Sequence, residues 1–454
     1  MRAESRTGTE DRPRAATKRA TRDGRPRAGV SGAAARPRAE AVARAAWWIP
    51  ALWFALGLLC RLVVFQGSHR EGDELVYRSL VVQLESGHGY TLRGTPLLAD
   101  GSWPLDQYGN ALFFHPPAGV GLLWLLHSML GPMGYPIAQL LSYALFFWSM
   151  LALVRAVSAP EPLAGPRLHA AAALAAFTPI MTHVMSRFWI DGPMLAAATL
   201  AGALFIRSAS AGDARGAAVA GLAMGAASWV KTAALVSVPG LLLVAWAMAE
   251  PAARSRAVWL GLIFAGIAVA VQLPWELWQW SVVGHPFPAW AGKPSPELVA
   301  TNAYVHDLTV VRKPWVYLTL LPRSVWTLAP SLLCLATPGF DPRTRRVALA
   351  LVGWIAVILA VVMGLGAIGY SKLVRYAVLV TPATVALFVV AAGEVWRLLG
   401  SSARAPRARS LVRALVLLAA FGLALEVAQG IATPVFMSDR DLIVPLLWPA
   451  GGKY

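Results

Sequence analysis

Apolar residues in this chain gather in long runs, and short polar connections rich in arginine lie between them. A bilayer core of about 30 Å takes about 20 residues at helical rise, so runs near that length read as membrane helices. The pattern predicts spans near 47–66, 135–157, 168–186, 190–207, 216–231, 232–250, 257–275, 323–338, 347–366, 373–394 and 411–431. The predicted fold class is therefore all-α and polytopic, with about eleven transmembrane helices. One more apolar segment, 117–130, is short for a crossing and is predicted as an interfacial helix of the first outer loop. Pro116 and Pro117 stop any preceding helix and set the direction in which it starts.

The connections set an orientation. Every second one carries arginine: Arg155 and Arg167, Arg207 and Arg215, Arg254 and Arg256, Arg343, Arg345 and Arg346, then Arg397, Arg404, Arg407 and Arg409. Basic connections stay in the cytoplasm. Residues 1–45 hold eleven Arg and one Lys against five acids without apolar periodicity, which predicts a disordered, basic cytoplasmic tail. A signal peptide does not fit, because the run from Trp47 to Gln66 is too long and no small-residue cleavage site follows. Residues 46–431 then form the membrane domain, with loops 67–134 and 276–322 and the 432–454 tail outside the cytoplasm. Such long loops on one face are where function is expected. The second is rich in tryptophan, with Trp275, Trp278, Trp280, Trp290 and Trp315 suited to an interfacial aromatic belt.

Composition narrows the classes further. The 454 residues are 57% hydrophobic and 14% charged, with a mean hydropathy of +0.56. A soluble fold is excluded. The net charge of +17 reflects the tail and the inner connections rather than a nucleic-acid surface. Cys60 and Cys334 both fall in apolar runs, so neither a disulfide framework nor a Cys/His metal motif is expected, and no cofactor is implied. Gly364, Gly366 and Gly369 match a dinucleotide fingerprint in letters, yet they end a membrane span instead of following a strand. Gly221 and Gly225 have the spacing that lets helices approach closely.

The candidate chemistry lies at the outer ends of spans. Asp73 and Glu74 follow the first span, and Tyr77 stands four residues after Asp73, on the same face of a helix. His115 precedes the short apolar segment, Asp191 separates the third and fourth spans, and Lys231 the fifth and sixth. Lys372, Arg375 and Tyr376 separate the ninth and tenth. Carboxylates beside cations at one membrane face suit deprotonation of a hydroxyl and retention of a phosphate. The plainer reading of Arg61, Lys372 and Arg375 is that they snorkel to the interface, and that of Glu426 is a contact with a neighbouring helix.

Arg61, Asp73-Glu74 with Tyr77, Phe114-His115-Pro116-Pro117, Asp191-Gly192-Pro193, Lys231 and Arg375-Tyr376 leading to Pro382 together resemble the protein mannosyltransferase and aminoarabinose transferase group. That group lies within the membrane glycosyltransferases of the C superfamily. The resemblance covers order and spacing from about Arg61 to Pro382, with Ala118 where the group often has leucine. It implies a polyprenyl-phosphate sugar donor, an acceptor glycan, lipid or protein on the outer face, and a base at Asp73. On that reading Glu74, Tyr77, His115 and Asp191 bind substrate, while Arg61, Lys231, Lys372, Arg375 and Tyr376 hold the donor phosphate. Single displacement with inversion is implied; the spacing of His and acids gives no dedicated metal site, so the reaction is expected to be metal-independent or only loosely metal-assisted. The expected location is a bacterial plasma membrane, with membrane lipids around the protein, the N-terminus cytoplasmic and the active site extracytoplasmic. A transporter or flippase of lipid-linked sugars, or a membrane scaffold without chemistry, is the competing class.

Overall fold

The structure, a computed structural model, describes residues 48–65, 73–92, 95, 115–283, 296–301, 303–400 and 406–436. The basic tail, residues 67–72, 93–94 and 96–114 of the first outer loop, Trp290 and the segment after Phe436 lie outside the described residues. In chain order the helices are α1 (Trp48–Phe65), α2 (Asp73–Glu85), α3 (Ala118–Leu130), α4 (Gly134–Val157), α5 (Gly165–Phe177) and α6 (Pro179–Val184). Then come α7 (Asp191–Ala211), α8 (Ala214–Val230), α9 (Val238–Met248), α10 (Arg254–Val283), α11 (Pro296–Thr301) and α12 (Ala303–His306). The last are α13 (Val316–Ser324), α14 (Leu328–Leu335), α15 (Pro342–Ala367), α16 (Thr381–Gly400) and α17 (Pro406–Phe436). The described residues contain no β-strand.

Helix ends follow local chemistry. Gly212 closes α7 in the left-handed conformation at φ +68°, where a side chain would be strained. Asp213 then caps α8 by accepting from the Arg215 backbone N–H at 3.0 Å. Asp341 caps α15, accepting from Thr344 N at 2.8 Å and its hydroxyl at 2.9 Å. The hydrogen bond from the Thr344 N–H holds the Asp341 carboxyl below its usual range.

Packing depends on small residues. From Ala170 to Phe177, α5 is buried on all sides, and this alanine-rich rod packs against α1, α4, α16 and α17. A Cβ on Gly221 would stand 2.7 Å from the Phe264 carbonyl oxygen, so α8 lies tightly on α10 as the glycine spacing predicts. A side chain on Gly430 would collide with the Phe177 carbonyl, which fixes α17 against the end of α5. Large apolar side chains remain exposed along α10 and α17, among them Trp259, Leu262, Leu417 and Phe421, a surface that suits lipid.

Each of the eleven predicted segments contains helix among the described residues, but helix length gives a smaller count. Six stretches of the described residues are long and apolar enough to cross a membrane, or seven if α13 and α14 form one broken span. The difference lies in α1, α5 with α6, α8 and α9, whose helices are shorter. The third predicted span breaks at Thr178, and the fifth stops at Lys231. Segment 117–130 is helical as expected, and Gly134 lies so close to the Leu126 backbone that α4 folds back upon it. Trp278, Trp280 and Trp315 are exposed, in keeping with an aromatic belt. Trp275 departs from that reading, being buried beside Tyr90, Trp229 and Trp278.

Helices α13 and α14 meet at a 94° bend. Pro322 sits in the last turn of α13, and Thr327 begins the new direction. Glu426 of α17 accepts hydrogen bonds there from Thr327 N at 2.9 Å and its hydroxyl at 2.6 Å. The helix contact expected of Glu426 is thus a cap supplied across the interface.

Candidate active site

Chain breaks bring the polar residues together. Asp73 and Glu74 form the first turn of α2, where the helix dipole favours negative charge. Asp191 opens α7, and Lys231 stands in extended backbone between α8 and the 3₁₀ turn Thr232–Ser237. Arg375 and Tyr376 lie in the 3₁₀ turn Val374–Val380 that leads into α16. Irregular backbone among membrane helices is tolerated where it is packed within protein or lines a polar cavity.

Two ion pairs result. Arg375 Nη2 donates to Asp73 Oδ2 at 2.6 Å, and Lys231 Nζ donates to Asp191 Oδ1 at 2.8 Å. The second pair is nearly water-free, with 8% and 2% of the two side chains exposed, whereas Asp73 keeps 23%. The Tyr376 ring adjoins both cations, with its centre 5.6 Å from Lys231 Nζ and 5.7 Å from Arg375 Cζ. Glu74 is buried and accepts from the Phe188 backbone N–H at 3.1 Å, which ties α2 to the chain entering α7.

Tyr77 is buried one turn along α2 from Asp73. Burial, followed by the Asp73 and Asp191 carboxylates, pushes its phenol well above the usual 10, so it remains a hydrogen-bond donor. His115 belongs to the same neighbourhood, and the Tyr90 hydroxyl donates to its carbonyl at 3.1 Å. Desolvation of its ring, with Lys231 and Arg375 nearby, holds the imidazole well below the usual 6.5. An unfolded chain would protonate this ring near 6.5. Below that pH the unfolded state therefore binds more protons, and stability falls as pH drops toward the folded value. The thermal midpoint in detergent should fall between pH 7 and pH 5, and His115→Asn should flatten that dependence. An identical pH slope in the variant would show that His115 stays accessible to protons.

Two predicted phosphate ligands are engaged elsewhere. Arg61 is fully buried and donates to the carbonyls of Gly57 at 2.9 Å and Ala176 at 3.2 Å, with its guanidinium 3.9 Å from the Tyr143 ring centre. Lys372 is buried too, and its ammonium group donates to the Thr309 carbonyl. Arg61, Lys372 and Arg375 therefore do not snorkel, because all three are enclosed by protein. Lys372 instead secures the chain leading to Arg375, with help from the Tyr317 hydroxyl on the Leu373 carbonyl at 3.2 Å.

The sequence reading missed Trp189, whose ring centre lies 4.4 Å from Arg375 Cζ. A tryptophan at a span end resembles a belt residue, and its place two positions before Asp191 was the only available sign. No cluster of three or more His, Cys, Asp or Glu residues able to hold a metal occurs among the described residues.

No protein-family model matches the sequence, and no curated protein matches it significantly. Solved structures do share the fold. ArnT from Cupriavidus metallidurans in the apo state is 17% identical, with a TM-score of 0.52 over 85% of this chain and 76% of that one. The same protein bound to undecaprenyl phosphate gives 18% identity and a TM-score of 0.50 over the same shares. The apo oligosaccharyltransferase of Archaeoglobus fulgidus is 11% identical with a TM-score of 0.50, and this chain spans 56% of its length. The fold is thus shared with ArnT and with the archaeal oligosaccharyltransferase.

Proposed function

We propose that the protein transfers a sugar from a polyprenyl-phosphate donor to an acceptor hydroxyl on the outer face of the membrane, by single displacement with inversion. The observation that carries this reading is the contact between Asp73 and Arg375, beside the Lys231–Asp191 pair. The binding of undecaprenyl phosphate by ArnT, which shares the fold, supports a lipid-phosphate donor.

The acceptor oxygen attacks the anomeric carbon and its proton passes to the Asp73 carboxylate, while the bond from that carbon to the phosphate oxygen breaks. Polyprenyl phosphate leaves with the bonding electrons. Its phosphate gains negative charge as it departs, so Arg375 and Lys231 bind it more strongly in the transition state than in the ground state. As Arg375 turns toward that charge, its hold on Asp73 weakens and the carboxylate gains proton affinity when a base is needed. Glu74, Tyr77 and His115 border the acceptor and sugar, and Tyr376 flanks the phosphate.

Purified protein incubated with a panel of polyprenyl-phosphate sugars and candidate acceptors should release polyprenyl phosphate in step with glycosylated product. Movement of an intact donor across vesicles without such release would favour a flippase. The proposed orientation has its own test. A cysteine placed at Ser102 should react with a membrane-impermeant reagent in intact cells, and one at Ser210 should not. The reverse pattern would invert the site to the cytoplasmic face.

A further inference from the structure

Helix α2 carries a cation that the proposed chemistry leaves unused. Arg78 follows Tyr77 directly and stands one helical turn beyond Glu74, on the same face. Its Cζ lies 5.1 Å from the ring centre of Tyr135 and 5.0 Å from that of Phe188, and both rings are buried. Aromatic rings attract a guanidinium but offer its N–H groups no charged acceptor. Among the described residues no carboxylate pairs with Arg78, and its Nε is buried without a hydrogen-bond partner. The two acids that share its face of α2 are engaged elsewhere: Glu74 accepts from the Phe188 N–H at 3.1 Å, and Glu85 meets His127 Nδ1 at 2.6 Å. A half-buried arginine held beside two rings and left without an acid suits an anion that comes from outside the chain.

We infer that Arg78, beside Tyr135 and Phe188, binds an anionic group, phosphate or carboxylate, carried by the acceptor. This rests on the transferase reading. The donor phosphate is assigned to Arg375 and Lys231, and Lys231 is nearly water-free with 8% of its side chain exposed. Arg78 lies instead toward the end of α2 where Glu85 and His127 keep 32% and 23% of their side chains exposed, so this side is open to water. Phe188 joins the two regions, because its backbone N–H holds Glu74 while its ring adjoins Arg78. Five residues separate Arg78 from Asp73, about 7.5 Å of helical rise, a span that an anionic group and a hydroxyl of one acceptor can bridge.

The test uses glycerol, glycerate and glycerol 3-phosphate, alcohols that differ in the anion they carry. Their binding to the full chain in detergent is measured by ligand-observed NMR, with excess polyprenyl phosphate present so that the donor-phosphate residues are already occupied. Both anions should bind about tenfold or more tightly than glycerol, the scale of one charge-assisted hydrogen bond. Arg78→Gln should bring them to the level of glycerol. Arg78→Lys keeps the charge and should retain part of the difference, which serves the test if Arg78→Gln folds poorly. The tighter of glycerate and glycerol 3-phosphate tells carboxylate from phosphate. In transfer assays from a polyprenyl-phosphate sugar, Arg78→Gln should raise the KM of the preferred anionic alcohol about tenfold while the donor KM stays in place.

Equal binding of glycerol and the two anions by the wild type, or anion binding undiminished in Arg78→Gln, would overturn the anion site while leaving the transferase reading intact. A rise in donor KM instead of acceptor KM would assign Arg78 to the donor and overturn the acceptor role. Arg78-dependent anion binding in a protein that transfers sugar from no polyprenyl-phosphate donor would overturn the acceptor role together with the transferase reading.

Discussion

Asp73→Asn should lower sugar transfer by roughly a hundredfold or more, the usual scale for losing a general base. Asparagine has nearly the same shape, and its side-chain oxygen can still accept from Arg375 in place of the 2.6 Å contact that Asp73 makes. It cannot take up the acceptor proton usefully. Expression and thermal stability should therefore stay close to wild type, and the loss should appear in turnover more than in donor saturation. Transfer near the wild-type rate would remove Asp73 as the base. Glu74 and Asp191 would then be the carboxylates to examine, although one already holds the Phe188 N–H and the other holds Lys231.

The second large effect is on stability as well as activity. Lys231→Met leaves the Asp191 carboxylate without its cation at a place where only 2% of the side chain reaches solvent. Breaking one half of a buried pair costs about 3–5 kcal/mol, because the remaining charge is uncompensated. Thermal unfolding in detergent should show a large drop for Lys231→Met. Adding Asp191→Asn should recover much of it, since the stranded charge is then gone. Transfer should not recover in the double variant if Lys231 serves the donor phosphate. A single variant as stable as wild type would mean that Asp191 readily finds water or another cation.

Apolar run length made the helices legible, since a membrane helix must be both continuous and hydrophobic to exist at all. Each predicted segment contains helix among the described residues, and the four-residue spacing of Asp73 and Tyr77 does lie on one helix. Run length could not reveal where a helix breaks within an apolar stretch. The interruption at Thr178 therefore remained hidden, while the one at Lys231 fell where two predicted spans met, and the expected number of crossings exceeded the six or seven supported by helix length. Pairing was hidden for another reason. Asp73 and Arg375 are 302 positions apart, and no local pattern says which cation reaches which acid. Arg61 and Lys372 look like interfacial anchors in sequence because they lie near span ends. Both instead donate to backbone carbonyls, Ala176 for Arg61 and Thr309 for Lys372, that only the folded chain places beside them. Trp189 shows the same limit, as an aromatic at a span end carries no mark of the guanidinium it will meet.

The 94° bend between α13 and α14 carries a temporal order of assembly. Its polar groups at Thr327 are satisfied by Glu426, which leaves the ribosome 99 positions later. Until α17 is inserted, the nascent protein holds an uncapped helix start within apolar surroundings, and the face of α5 near Phe177 lacks the neighbour brought by Gly430. Helix α17 therefore completes contacts that the earlier helices leave open. A chain interrupted before it would present the membrane quality-control machinery with a recognisable defect: an unsatisfied backbone corner in lipid.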